Sequence, residues 1–111
     1  MITRGRALTN LRKGVAEFCV LAELRHGPAY GLALAHQLEA DGLVASPSTL
    51  YPMLSRLHAG GLVESEWVQA DGARARKYFS LTDAGKDALG EFQDVWASLR
   101  DAVDRTLKEE A

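Results

Sequence analysis

Arg74, Arg76 and Lys77 fall within residues 70–78 beside a single acid, Asp71. Arg4, Arg6, Arg12 and Lys13 fall within the first thirteen residues, which hold no acid. Cations grouped in this way attract phosphate, because fields decay over a Debye length of roughly 8–10 Å and a local cluster outweighs the whole-chain sum. The net charge of −2 is therefore no bar to a polyanionic ligand. The acidity lies elsewhere, with eight acids against four bases in residues 83–111. A merely solvated surface is the competing use of both basic stretches.

A third stretch, 46–58, carries no acid at all. Ser48 and Thr49 can donate to phosphates, Tyr51 can offer its hydroxyl or pack on sugar, and Arg56 can reach a phosphate or a guanine edge. Bond-making chemistry has no such concentration. His26, His36 and His58 are scattered, and no C-x-x-C or H-x-x-x-H spacing offers a metal site. Glu64 and Glu66, two apart on an expected strand, share one side of an exposed ribbon with no cleft to shift a pKa. Glycines form no phosphate-cradling loop after a strand. Cys19 lies in the apolar run 15–24 and reads as a small buried residue. Neither enzymatic activity, nor a metal, nor a cofactor is expected.

Elements that would position these groups follow from periodicity. Leu8, Leu11, Val15, Phe18 and Ala22 recur at three and four residues, predicting a helix over 7–26 that His26-Gly27-Pro28 ends. A shorter helix is expected over 29–41, with Leu34 and Leu38 on a narrow stripe that suits partial burial and Gly42 after its end. Residues 46–49 supply capping hydroxyls for a third helix, with Ser48 as N-cap and Pro52 at its fourth position. Leu50, Met53, Leu54 and Leu57 then share one face, leaving Thr49, Tyr51, Pro52, Ser55 and Arg56 on the other. Strand formers at 62–69 and 77–81 flank Ala70-Asp71-Gly72-Ala73, a hairpin with an arginine-bearing tip. Thr82 can cap a long helix from Asp83 to about Lys108, in which Leu89, Phe92, Trp96, Leu99 and Val103 are spaced 3, 4, 3, 4 as a coiled-coil seam.

Helix, helix, capped helix, hairpin, long helix is the order of a mainly α winged helix-turn-helix. One domain is expected, with 1–82 as the reading region and 83–111 as a dimerisation helix. No segment has the eighteen or so apolar residues of a membrane span, and the charged N-terminus lacks the apolar run of a secretion signal, so the cytoplasm is the expected compartment. A winged helix can also bind protein or a small molecule without reading DNA, and that alternative stays open.

Three motifs narrow the choice. Leu50-Tyr51-Pro52-Met53-Leu54-Ser55-Arg56-Leu57 with Gly61-Leu62-Val63, Arg76-Lys77-Tyr78-Phe79-Ser80-Leu81-Thr82-Asp83-Ala84-Gly85, and Gly27-Pro28-Ala29-Tyr30-Gly31 resemble, in this order, the third helix, the wing with the last helix, and the turn before the second helix of the PadR family. The resemblance spans 12 to about 105. It implies a homodimeric repressor of the short subfamily, whose one long C-terminal helix packs on the partner's first and last helices. Leu8, Leu11, Leu89, Phe92, Trp96, Leu99 and Val103 would then form the interface. It implies double-stranded operator DNA as partner, read through Tyr30, Ser48, Thr49, Tyr51, Pro52 and Arg56, with the wing cations and Arg12 and Lys13 assisting. A small aromatic effector near Trp96 is also implied, though a seam tryptophan is more often plain packing. The wing departs from the family in placing Ala75 between Arg74 and Arg76, which leaves the DNA-contacting arginine open.

Overall fold

The computed structural model describes residues 3–69, 72 and 74–108. Of the expected hairpin turn, Ala70, Asp71 and Ala73 lie outside the described residues, as do Met1, Ile2 and 109–111. The chain runs α1 (Arg4–Leu24), β1 (Ala29–Tyr30), α2 (Gly31–Ala40), a 3₁₀ turn (Pro47–Thr49), α3 (Leu50–Ala59), β2 (Val63–Gln69), β3 (Ala75–Leu81) and α4 (Asp83–Leu107).

Helix α1 begins earlier than its apolar stripe because the Thr3 hydroxyl accepts from the Arg6 N–H at 3.2 Å and caps it. It has two apolar faces where the sequence pattern shows one. Ala16, Val20, Leu21 and Leu24 enter the core, while Leu8 and Leu11 stay exposed. Leu34, Ala35 and Leu38 of α2, Leu50, Leu54 and Leu57 of α3, Val63 and Phe79 of the strands, and Leu89 of α4 complete that core. The expected partition of α3 is observed, with Met53 packed against the core from a half-buried position.

Both short helices end as their glycines require. Gly42 and Gly61 adopt φ of +76° and +77°, a region an L side chain resists, and the following N–H groups of Leu43 and Leu62 bond back to Leu38 and Leu57 carbonyls at 2.9 Å. The start of α3 differs from expectation. Ser48 does not cap it; the 3₁₀ turn feeds straight into the helix, and Thr49, with helical φ and ψ, is the boundary residue. Pro47 and Pro52 both lie in first turns, where a missing N–H leaves no bond unmade.

The wing is also more than a hairpin. Ala29 and Tyr30, expected inside the second helix, pair antiparallel with Phe79 and Tyr78, giving a three-stranded sheet of order β1-β3-β2. The pairing explains the shift: with Ala29 and Tyr30 extended against β3, α2 begins at Gly31. β2 and β3 pair over their full length, Trp67 opposite Lys77 and Val68 opposite Arg76.

Thr82 caps α4 as expected, its Oγ1 accepting from Gly85 N at 3.0 Å and donating to the Gly61 carbonyl at 2.6 Å. A Cβ at Gly85 would run into the Leu62 carbonyl oxygen, so only glycine lets α4 start this close to the end of α3. Of the expected seam, Leu89 is instead a core residue at 5% exposure, because the first turns of α4 lie against the chain's own core. Trp96, Leu99 and Val103 remain 41–54% exposed. Among the described residues no helix is long and apolar enough to cross a membrane.

Candidate nucleic-acid interface

Two elements present the polar groups singled out in the sequence. Along the 3₁₀ turn and α3, Ser48, Tyr51, Pro52 and Ser55 share the outermost line, with Arg56 and Thr49 on the flank toward α1. All six are exposed. Leu50, Leu54 and Leu57 anchor the opposite face, so burial alone fixes which side chains point out. Ser48 Oγ lies 3.0 Å from Ser46 Oγ. The Thr49 hydroxyl donates to the Ser46 carbonyl at 2.7 Å, which leaves it only lone pairs to offer a ligand, where donation to phosphate was expected.

On the wing, each described cation of β3 rests on an aromatic face. Arg76 Cζ lies 4.9 Å from the centre of the Tyr30 ring, and Lys77 Nζ lies 5.9 Å from Trp67 and 5.6 Å from Phe79. Such contacts restrict flexible side chains without neutralising their charge. Arg74, the residue before β3, is exposed. The two elements face each other across an open cleft of about 460 Å³ lined by Tyr30, Tyr51, Ser55, Trp67, Arg76 and Lys77 among others. Tyr30 enters this cleft because of β1, the strand the sequence pattern did not reveal.

Arg12 and Lys13 stand apart. Arg12 is half-buried and donates from Nε to the Gly42 carbonyl at 2.9 Å, tying α1 to the turn after α2. This bond engages Nε alone. Lys13 is exposed and shares a shallow pocket of about 210 Å³ with Thr49, Met53 and Arg12.

Arg56 is engaged as well. Its Nε and Nη2 both reach Glu17 Oε1 on α1, at 2.7 and 2.6 Å. Glu17 could not be found by spacing, being 39 residues away. Ser55 and Trp67 could have been: Ser55 lies one turn after Tyr51, and Trp67 alternates toward the same side of β2 as Ser65 and Gln69.

A second surface lies between α1 and α4. Leu11, Val15, Phe18, Phe92, Trp96 and Leu99 are the main apolar lining of an open groove of about 630 Å³. Phe18 and Phe92 stack at 4.3 Å and 6°, and Phe92 and Trp96 continue the ladder at 6.0 Å and 19°. Cys19, beside Phe18 in sequence, is half-buried; burial raises its thiol pKa, and the Glu23 carboxylate pushes the same way. Among the described residues no group of three or more His, Cys, Asp or Glu could hold a metal ion.

Comparison with known proteins agrees with this layout. The model of the Transcriptional regulator PadR-like family matches residues 20–91. Transcriptional regulator Rv3488 of Mycobacterium tuberculosis is 36% identical over 84 residues, 76% of this chain and 78% of that protein. The crystal structure of a PadR family transcriptional regulator from Eggerthella lenta superposes with a TM-score of 0.84 at 38% identity, covering 96% of this chain and 93% of the other. That of a PadR-like transcriptional regulator from Bacillus cereus gives 0.82 at 30% identity, covering 91% and 99%. These relatives are transcriptional regulators and not enzymes, and with a family model covering well over half its length, this chain belongs to the PadR family of transcriptional regulators.

Proposed function

We propose that this regulator is a cytoplasmic homodimeric repressor that reads palindromic operator DNA and is released by a small aromatic effector. Residues 1–82 would form the reading head and 83–111 the dimerisation helix. The observation that carries the reading is the cleft itself, lined by an acid-free helix face and by two aromatic-backed wing cations. Tyr51, Pro52, Ser55 and Ser48 would enter the major groove, while Arg76, Lys77 and Arg74 would reach the flanking backbone or minor groove. Tyr30 supports Arg76 from below. Phosphate contacts set affinity and register, and the helix face sets sequence preference.

The exposed ridge of Trp96, Leu99 and Val103, continued by Leu8 and Leu11 on α1, suits a second copy of the chain. A two-fold pair would place two reading heads on half-sites about one helical turn apart. Phe92 and Trp96 offer flat faces in the same groove, suited to stacking a planar effector where dimer contacts are made.

The test begins by selecting duplexes from a random library. Anisotropy titrations of a selected duplex across a salt series should show log K falling with log salt at about −0.9 per phosphate contacted. Arg76→Glu with Lys77→Glu should weaken every duplex, whereas Tyr51→Ala should alter the ranking of sequences. Duplex binding indifferent to all three changes would remove this face from the interface.

A further inference from the structure

The Arg56–Glu17 pair joins α3 to α1 through one carboxylate oxygen, Oε1, which takes both Nε and Nη2 of the guanidinium. Those two nitrogens form the side-on edge of the group. The end-on edge, Nη1 with Nη2, has no other partner among the described residues, and the Arg56 side chain is 61% exposed. An ion pair this open contributes little to stability. What it does supply is orientation: a planar fork held along one edge can turn in few ways, and its other edge is the one that addresses O6 and N7 of a guanine in a bidentate contact. The carboxylate also cancels the cation locally, so the paired arginine offers a phosphate little of its charge.

We propose that Glu17 is a positioning residue that makes Arg56 a reader of base identity and keeps it from acting as a general phosphate clamp. The inference rests on the DNA-reading role proposed above. It adds a residue on α1, outside the helix-turn-helix pair and the wing, to the determinants of specificity. Placing the acid on α1 and not within α3 keeps the reading face free of carboxylates while still restraining its arginine.

The experiment compares wild type, Glu17→Gln, Arg56→Lys, Arg56→Ala and the Glu17→Gln/Arg56→Ala double variant. Each is titrated by anisotropy against a duplex selected by the wild type and a scrambled duplex of equal composition, over a potassium chloride series, with thermal melts recorded alongside. Glu17→Gln should bind the scrambled duplex more tightly at low salt and steepen its log-log slope by about 0.9, the signature of one further phosphate contact. The ratio of selected to scrambled affinity should fall about tenfold. Arg56→Lys, which keeps the charge and lacks the fork, should lose a similar part of that ratio with Glu17 intact. In the Arg56→Ala background the effect of Glu17→Gln should vanish, because a positioning residue acts only through the group it positions. An unchanged slope and ratio in Glu17→Gln would overturn the proposal, as would an effect that persists without Arg56. A wild type that selects no duplex would overturn the DNA reading itself, a failure visible before any Glu17 variant is measured.

Discussion

Arg56, Arg76 and Lys77 are each held by a partner in the free chain, and the partners differ in kind. A carboxylate restrains and neutralises; an aromatic face restrains and leaves the charge in play. The wing cations are thus suited to salt-dependent attraction and the helix arginine to discrimination. Cys19 illustrates the opposite use of environment. With its thiol pKa raised, first by burial and then by Glu23, the neutral form persists to higher pH than in an unfolded chain. Its contribution to stability is complete below the unfolded thiol's pKa and is lost as pH rises through the folded one. Iodoacetamide should therefore alkylate Cys19 more slowly in the native protein than in the same protein in urea at pH 8, followed by mass spectrometry; equal rates would show an exposed, unperturbed thiol.

At the scale of elements, the end of α3 and the start of α4, brought side by side by the β2–β3 hairpin, are interlocked. Thr82 caps α4 and holds the Gly61 carbonyl, while its N–H reaches the Leu62 carbonyl at 3.2 Å. Thr82→Ala should cost about 1 kcal/mol, lowering the melting temperature by roughly 4 °C or more, whereas Thr82→Ser should retain most of it. A calorimetric scan in which the two variants melt alike would deny the hydroxyl this role. Thr82 and both glycine stops were legible in the sequence because caps and left-handed residues are local chemistry. The α3 face was legible because leucines at helical spacing fix it. β1 was not, since a two-residue strand exists only through its pairing with Tyr78 and Phe79, nearly fifty residues on. Nor could spacing tell that Arg12 would bond the Gly42 carbonyl, or that Leu89 would be claimed by the chain's own core before any partner reached it.

The whole molecule is drawn out, 65 × 30 × 21 Å, with a radius of gyration of 16.4 Å, against about 13 Å for a compact domain of this length. The 25 residues of α4 alone span about 38 Å, and its ridge of Trp96, Leu99 and Val103 is exposed. A helix so long with a stripe so exposed calls for a covering surface. Sedimentation equilibrium at micromolar concentration should give twice the 12.1 kDa chain mass, and Leu99→Asp should return it to one chain while leaving the helical circular dichroism signal largely intact. A wild type that stays single and folded would refute the zipped arrangement. Within this frame α1 is a rod with two tenants: Phe18 stacks on Phe92 in the groove, and its immediate neighbour Glu17 pairs with Arg56 of α3. Consecutive side chains on one helix turn together. At a radius of roughly 5–6 Å, twisting α1 by about 10° would sweep both tips through about 1 Å, so a ligand that turned α1 as it parted the aromatic ladder would also shift the Glu17 carboxylate beside Arg56.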